Sequence, residues 1–191
     1  MSSVERPNKV SLEVYLEVED ANEEKSEFYN GEIFSMAGGS YAHGVIGSNI
    51  HGALFSKLKG SGCRANTSDV KVQIEAANAI VYPDVTVVCG LPEYAWPRKD
   101  IIRNPTLIVE VLSPDNAAYD RGGKFRKYKT LKSLREYVLV EQDSANVDVF
   151  YLDDVGQWVN ESYSGLEAEV ILRSLGVRIE MEDIYRDVEF A

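Results

Sequence analysis

Apolar residues recur along this chain with two periods, and the switches between those periods lay out its elements. From Tyr41 to about Lys59, Val45, Ile46, Ile50, Leu54 and Leu58 return at helical spacing; Gly38-Gly39-Ser40 opens the segment and Gly60 stops it. A shorter helix is predicted from Ser11 to Asp20, with Ser11 as cap and Glu13 in its first turn. Ser26-Glu27-Phe28-Tyr29 and Glu32-Ile33-Phe34-Ser35-Met36 flank Asn30-Gly31, the strongest short hairpin signal. Asp69 to Glu75 alternates, with Val70, Val72 and Ile74 on one face, and predicts a half-buried strand. Ile80 to Cys89 and Thr106 to Leu112 are β-branched apolar runs of strand length, the pattern of buried strands.

The second half continues in the same way. Ser113-Pro114-Asp115-Asn116 ends a strand, and a loop runs to Gly122-Gly123 before a helix predicted from Lys124 to about Lys132. Glu136 to Glu141 and Val147 to Leu152 predict a hairpin turning at Asp143 to Asn146, and Trp158 to Tyr163 an edge strand. Val177, Ile179 and Met181 alternate ahead of a last turn at Ile184-Tyr185. After the opening hairpin the order reads α-β-β-β-α-β with extra strands. It predicts one domain over residues 1–191 of class α/β (α+β): a mixed sheet flanked by helices.

Against this pattern two residues stand out. Asp84 and Glu110 are lone acids inside the two apolar strands, 26 residues apart. Strand alternation puts Glu110 on the face of Ile108 and Leu112, and Asp84 on that of Tyr82 and Thr86. Each therefore replaces a residue that packing would have made apolar. An ionised carboxylate there is costly unless it is paired or bound to metal. Two such strands side by side could aim both acids at one divalent cation, so both are candidate metal ligands. Pro83, which cannot donate to a ladder, marks an edge or a bulge beside Asp84.

Charge sharpens the picture. The chain is acidic, with a net charge of −11, yet residues 121–135 hold seven basic side chains and no acid. Subtracting those seven charges leaves −18 on the rest of the chain. This excludes a general nucleic-acid coat protein, which needs clustered Lys and Arg over its surface. It allows local contact with a polyanion through Arg121, Arg126, Lys127 and Lys129. On a helix, Lys124, Tyr128 and Leu131 share one narrow arc, with Arg126, Lys129 and Ser133 opposite. Lys124 thus faces the sheet, where it needs a carboxylate partner or must snorkel past the core edge. Lys127 borders the same arc and is the alternative candidate for the inward-facing lysine.

Cys63 and Cys89 are single and far apart, neither a CxxC pair nor a disulfide framework, so a reducing cytosol is expected. The first twenty residues lack the apolar stretch of a signal peptide, and no apolar run approaches the ~20 residues that span a bilayer. A soluble, cytoplasmic protein with no membrane partner is expected. Gly60-Ser61-Gly62-Cys63-Arg64-Ala65 matches GxGxxA but follows a helix instead of a strand, and is expected to be a loop.

Several pieces together carry a resemblance. They are Glu27-Phe28-Tyr29-Asn30-Gly31-Glu32 with Met36; His43 at the first long helix; Tyr82-Pro83-Asp84-Val85; Val109-Glu110-Val111-Leu112-Ser113-Pro114; Asp120-Arg121-Gly122-Gly123-Lys124 with Tyr128; and Glu136-Tyr137-Val138-Leu139-Val140. The chain resembles the PD-(D/E)XK phosphodiesterase superfamily of restriction-endonuclease-like folds, and more closely the Uma-type family of endonucleases, over nearly its whole length. The resemblance implies an αβββαβ core and metal-assisted hydrolysis of phosphodiester bonds in DNA. Asp84, Glu110 and a backbone carbonyl beside Glu110 would hold Mg²⁺ or Mn²⁺, and Lys124 would orient or deprotonate the attacking water. Glu27 and His43 would line the site. The superfamily's usual lysine position, two after the acid, is Leu112 here, so Lys124 looks like its migrated counterpart. A homodimer fits an enzyme that cuts both strands of a duplex. The alternative from another class is a non-catalytic nucleic-acid-binding or oligomeric scaffold protein that keeps the fold.

Overall fold

The computed structural model describes residues 9–36, 38–114 and 117–190. Ser11 caps helix α1 (Leu12–Ala21), its side chain accepting from the Val14 N–H at 3.3 Å. Strands β1 (Ser26–Tyr29) and β2 (Glu32–Ser35) form the hairpin. Asn30 and Gly31 both have positive φ, 48° and 93°, which is the backbone a type I′ turn requires. Ser40 caps helix α2 (Tyr41–Lys57), on which Ile46, Ile50 and Leu54 are buried. The chain continues through β3 (Cys63–Thr67), β4 (Lys71–Ile74), β5 (Ala79–Val81), β6 (Val85–Cys89), β7 (Tyr94–Ala95), β8 (Arg98–Ile102) and β9 (Leu107–Leu112). Helix α3 (Ala117–Tyr119) runs through a π turn at Asp120–Lys124 into α4 (Phe125–Tyr128). Then come β10 (Glu136–Glu141), β11 (Asn146–Leu152), β12 (Trp158–Ser164), β13 (Glu169–Leu172), β14 (Val177–Glu180) and helix α5 (Met181–Ile184).

The strands form a central six-stranded sheet in the order β12-β11-β10-β9-β6-β3, a second in the order β2-β1-β5-β4-β8-β7, and a β13-β14 pair. In the central sheet β9 and β10 run parallel and the other neighbours antiparallel. The fold is thus mixed α+β, and its core follows the expected αβββαβ order as α2-β3-β6-β9-α3/α4-β10. Both faces of the central sheet are covered. Val85, Val87, Leu107, Val109 and Val111 pack with Ile46, Ile50 and Leu54 of α2. Ile108, Leu112, Tyr137 and Leu139 pack with Phe125 and Tyr128 of α4. That double burial is why β9 reads as an unbroken apolar run apart from Glu110.

Several expectations are corrected. Ile80 to Cys89 is not one strand: it breaks into β5 and β6, which lie in different sheets. The chain crosses between them at Tyr82-Pro83-Asp84, where Pro83 removes a ladder donor. Asp84 therefore stands at the threshold of β6, outside the strand. The segment from Gly60 to Ala65 is not wholly loop, because Cys63 opens β3. This edge strand carries Arg64 and Asn66 and hides behind its polarity. Strand β4, expected to be half-buried, is buried apart from Gln73 and belongs to the second sheet, so β3 supplies the first strand of the core. β7, β8 and β13 are additional strands. The basic helix starts earlier and ends at Tyr128, and Gly122-Gly123 lie within the π turn. Asp115 and Asn116 of the expected loop lie outside the described residues. Finally, Cys63 and Cys89 are cross-strand neighbours joined by a disulfide. Gly90 N–H donates to Gly62 O, which makes the adjacent Cys63–Cys89 position a non-hydrogen-bonded pair, where side chains approach most closely. The cysteines are paired, so the reason for expecting a reducing compartment falls away. Among the described residues no helix is long and apolar enough to cross a membrane.

Candidate active site

Register brings the two acids together. Val85 pairs with Val109 across the antiparallel β6–β9 ladder, so the next position outward on each strand sets Asp84 opposite Glu110. The Asp84 carboxylate accepts from the Val111 N–H at 2.7 Å, directly beside Glu110. Glu110 is 4% exposed. Both acids line a cavity of about 900 Å³ at the end of the central sheet, together with Glu27, His43, Asp120, Lys124, Lys127 and Gln142.

The π turn supplies the cation. It inserts a residue's worth of extra winding, and it lets Asp120 and Lys124 both face inward with 5% and 7% exposure. Gly123 permits it: a Cβ there would lie 2.8 Å from the Tyr119 ring. Lys124 Nζ lies 2.8 Å from Glu110 Oε1, 3.5 Å from Glu27 Oε1 and 3.7 Å from Asp120 Oδ1. Tyr128 OH donates to the same Glu110 oxygen at 2.7 Å. Tyr137 OH ties the π turn down by donating to Asp120 O at 3.1 Å. Glu27 is itself fixed, accepting from the Tyr82 N–H at 3.1 Å.

Burial raises Glu110 well above the ordinary carboxylate range, with Lys124 pulling the other way and Asp84 adding to the rise. Burial also raises Asp120, again opposed by Lys124. For Lys124, burial disfavours the ammonium, but the carboxylates of Glu110, Glu27 and Asp120 outweigh it and hold its pKa well above that of an ordinary lysine. The lysine is therefore a fixed positive charge among three acids. His43 Nε2 lies 3.3 Å from Asp84 Oδ2. That hydrogen bond raises the imidazole's pKa, against burial.

The remaining candidates separate. Lys127 turns toward the cavity, 3.3 Å from the Tyr29 ring centre, and donates to Tyr119 OH at 2.5 Å; burial lowers its pKa. Arg121 is held by Glu141 and Asp148 on the sheet. Arg126 is exposed, and so is Lys129, which lies 4.7 Å over the Phe125 ring. Of the four basic residues expected to contact nucleic acid, Arg121 is thus tied to acids of the sheet and Lys127 is turned to the cavity, with Arg126 and Lys129 exposed. Asp120 was not singled out as a site residue, although an acid four residues before Lys124 is a recognisable helical pair. Gln142, beyond the end of β10, gave no sequence signal.

Among the described residues no three His, Cys, Asp or Glu side chains converge as a ready-made metal cluster. The donor set still fits a hard divalent ion. Mg²⁺ is commonly held by one or two carboxylates and completes its shell with water. Asp84 and Glu110 each engage the protein through one named oxygen, Oδ2 and Oε1, which leaves the second oxygen of each for a ligand in the cavity they line.

A mixed α+β fold with this core order is that of a restriction-endonuclease-like protein. The model of the Uma2 family, "Putative restriction endonuclease", matches residues 12–182, and the chain belongs to that family. Among relatives, the uncharacterized protein slr1290 of Synechocystis sp. (strain ATCC 27184 / PCC 6803 / Kazusa) is 38% identical over 184 residues, covering 95% of this chain and 94% of the relative. The uncharacterized protein sll1609 of the same organism is 33% identical over 156 residues, covering 82% and 88%. The solved structure of a putative nuclease belonging to DUF820 from Anabaena variabilis ATCC 29413 shares the fold, with a TM-score of 0.69 over 92% of this chain and 97% of that one, at 22% identity.

Proposed function

We propose that this protein is a metal-dependent endonuclease that hydrolyses phosphodiester bonds in DNA. The observation that carries the reading is the Lys124 ammonium, 2.8 Å from Glu110, beside an acid that the β6–β9 register sets opposite Glu110. Asp84 and Glu110 would hold Mg²⁺ or Mn²⁺, which supplies Lewis-acid stabilisation of charge on the phosphate. Tyr128 and Lys124 fix the Glu110 carboxylate, and the Val111 N–H fixes that of Asp84, so both are preorganised. Lys124, always charged, orients the attacking water and offsets negative charge that builds on the phosphate in the transition state. Lys127, on the cavity wall, is the second cation within the pocket, and Glu27 and Asp120 keep Lys124 in place. A dimer acting on both strands, working in the cytoplasm where DNA is found, completes the reading.

The test is a plasmid-nicking assay with Mg²⁺ or Mn²⁺, comparing wild type with Asp84→Asn and Lys129→Ala. Wild type should nick, Asp84→Asn should not, and Lys129→Ala should bind less tightly and with weaker salt dependence while retaining cleavage. Nucleic-acid binding without cleavage by wild type would favour the non-catalytic scaffold.

A further inference from the structure

The mouth of the cavity carries aromatic rings that the metal chemistry leaves unused. In the β1–β2 hairpin Glu27 pairs with Phe34 and Tyr29 with Glu32. Directly paired residues share a face, and alternate residues return to it. These four side chains therefore form one surface, and all four line the cavity. Phe28, on the opposite face, is buried in the core. Tyr29 and Phe34 are diagonal neighbours on the cavity surface, a spacing of about 7–8 Å that aromatic side chains can bridge. Phe34 lies on β2, the outermost strand of its sheet, and is 48% exposed. Tyr29 is 37% exposed, and Tyr119 of α3, which also lines the cavity, 43%. Lys127 ties those two together, its ammonium 3.3 Å from the Tyr29 ring centre and 4.8 Å from that of Tyr119. Single exposed rings are ordinary on a protein surface, but three around one cavity mouth make a patch. The patch also adjoins the reactive centre: Glu27, the partner of Phe34, lies 3.5 Å from Lys124 Nζ.

Charge decides what can use this patch. Five acids line the cavity against two lysines, Lys124 and Lys127, so even a bound divalent ion would leave no positive surplus. Duplex DNA is held mainly through Lys and Arg on its phosphates, and Arg121 is already committed to Glu141 and Asp148. Glu110, Asp120 and Lys124 are also recessed, at 4%, 5% and 7% exposure, so a strand must enter the cavity to reach them. Bases stack on aromatic faces whatever their sequence, and that attraction needs no excess of positive charge. We propose that Phe34, flanked by Tyr29 and Tyr119, is a stacking platform for an unpaired nucleobase beside the scissile phosphate, which makes single-stranded or locally unpaired DNA the substrate class. Placement beside a scissile phosphate rests on the nuclease reading; stacking of a single strand does not. Negative supercoiling favours strand separation, so a supercoiled plasmid belongs to the same class.

The experiment separates the two. A short thymidine oligonucleotide carrying one 2-aminopurine is titrated with the protein in Ca²⁺, which takes oxygen ligands, both as a single strand and annealed to its complement. Wild type should bind the single strand more tightly, and stacking should quench the 2-aminopurine fluorescence. Phe34→Ala should weaken that binding about five- to a hundredfold, the worth of one stacked base. The slope of log affinity against log salt should not change, because no phosphate contact is lost. Phe34→Leu, which keeps apolar bulk on the strand and so protects the fold, should lose nearly as much, and Phe34→Trp should bind at least as well as wild type. In Mn²⁺, wild type should cut single strands and supercoiled plasmid faster than relaxed plasmid. Quenching with these variant effects, but no cleavage in either metal, would uphold the platform and overturn the nuclease. Cleavage with single-strand affinity unchanged in Phe34→Ala and Phe34→Leu, or with equal affinity for single strand and duplex, would overturn the platform alone.

Discussion

Replacing Lys124 with Met keeps the length and the apolar stem of the side chain and removes only the charge. In the native protein that charge is 7% exposed and has Glu110, Glu27 and Asp120 within 3.7 Å. Its removal leaves a group of buried carboxylates with no counter-charge. Deleting one partner of a buried ion pair costs about 3–5 kcal/mol. For a domain of this size that is a fall in Tm of about 6–20 °C. The sign of the pH dependence follows from the same groups. Lys124 has a raised pKa, so its contribution is fully present below the ordinary lysine value and is lost only as pH rises through the folded one. Glu110 and Asp120 are raised by burial, so their cost is present above the ordinary carboxylate range and is relieved as pH falls through their folded values. Without Lys124 that cost grows. The deficit of the variant should therefore be largest at neutral pH and shrink toward about pH 5, by up to about 1.4 kcal/mol per pH unit for each extra proton taken up. Urea denaturation of the EDTA-treated proteins at both pH values measures it, with Lys129→Met on the exposed side expected within about 0.5 kcal/mol of wild type. A deficit below about 1 kcal/mol at neutral pH, or one that deepens in acid, would refute the placement of Lys124.

Asp84→Asn should leave the metal-free protein within about 1 kcal/mol of wild type, since an amide oxygen can still accept from Val111 N–H, while the rise in Tm that Mn²⁺ gives wild type by mass action disappears; thermal melts with and without Mn²⁺ decide it. Tyr128→Phe takes a 2.7 Å donor from buried Glu110 and should cost about 1.5–3 kcal/mol in urea denaturation, with a change near zero showing that the hydroxyl bond is not formed in solution. Thiol titration of unreduced, unfolded protein should find no free cysteine, because Cys63 and Cys89 are bonded; two free thiols would show that β3 and β6 pair without the bond and would restore the reducing-compartment expectation.

Much of this was legible because burial leaves a clear pattern. The α2 stripe, the Asn30-Gly31 hairpin and the doubly buried β9 all follow from period and turn chemistry, and Glu110 was conspicuous as the one acid in an apolar run. Lys124 could be aimed at the sheet from helical phase alone. Other features depend on pairing that a single chain does not display. β3 is a polar edge strand, so it has no apolar signature. The break at Tyr82-Pro83-Asp84 is a change of sheet, which looks the same as one long strand when only side chains are counted. The Cys63–Cys89 bond follows from the β3–β6 register, and β3 was not visible as a strand. The π turn depends on Gly122-Gly123 being helical, whereas glycine pairs ordinarily signal a loop. Arg121 reads as a free cation until Glu141 and Asp148 on neighbouring strands are brought against it.

The central claim, that Asp84 and Glu110 hold a divalent ion beside Lys124, is met most directly by diffraction from crystals grown with Mn²⁺, using its anomalous signal. One peak is expected in the cavity between the two carboxylates, within coordination distance of both and not touching Lys124 Nζ, and it should vanish in Asp84→Asn crystals. A peak elsewhere on the surface with none between these acids, at Mn²⁺ concentrations that support nicking, would contradict the account.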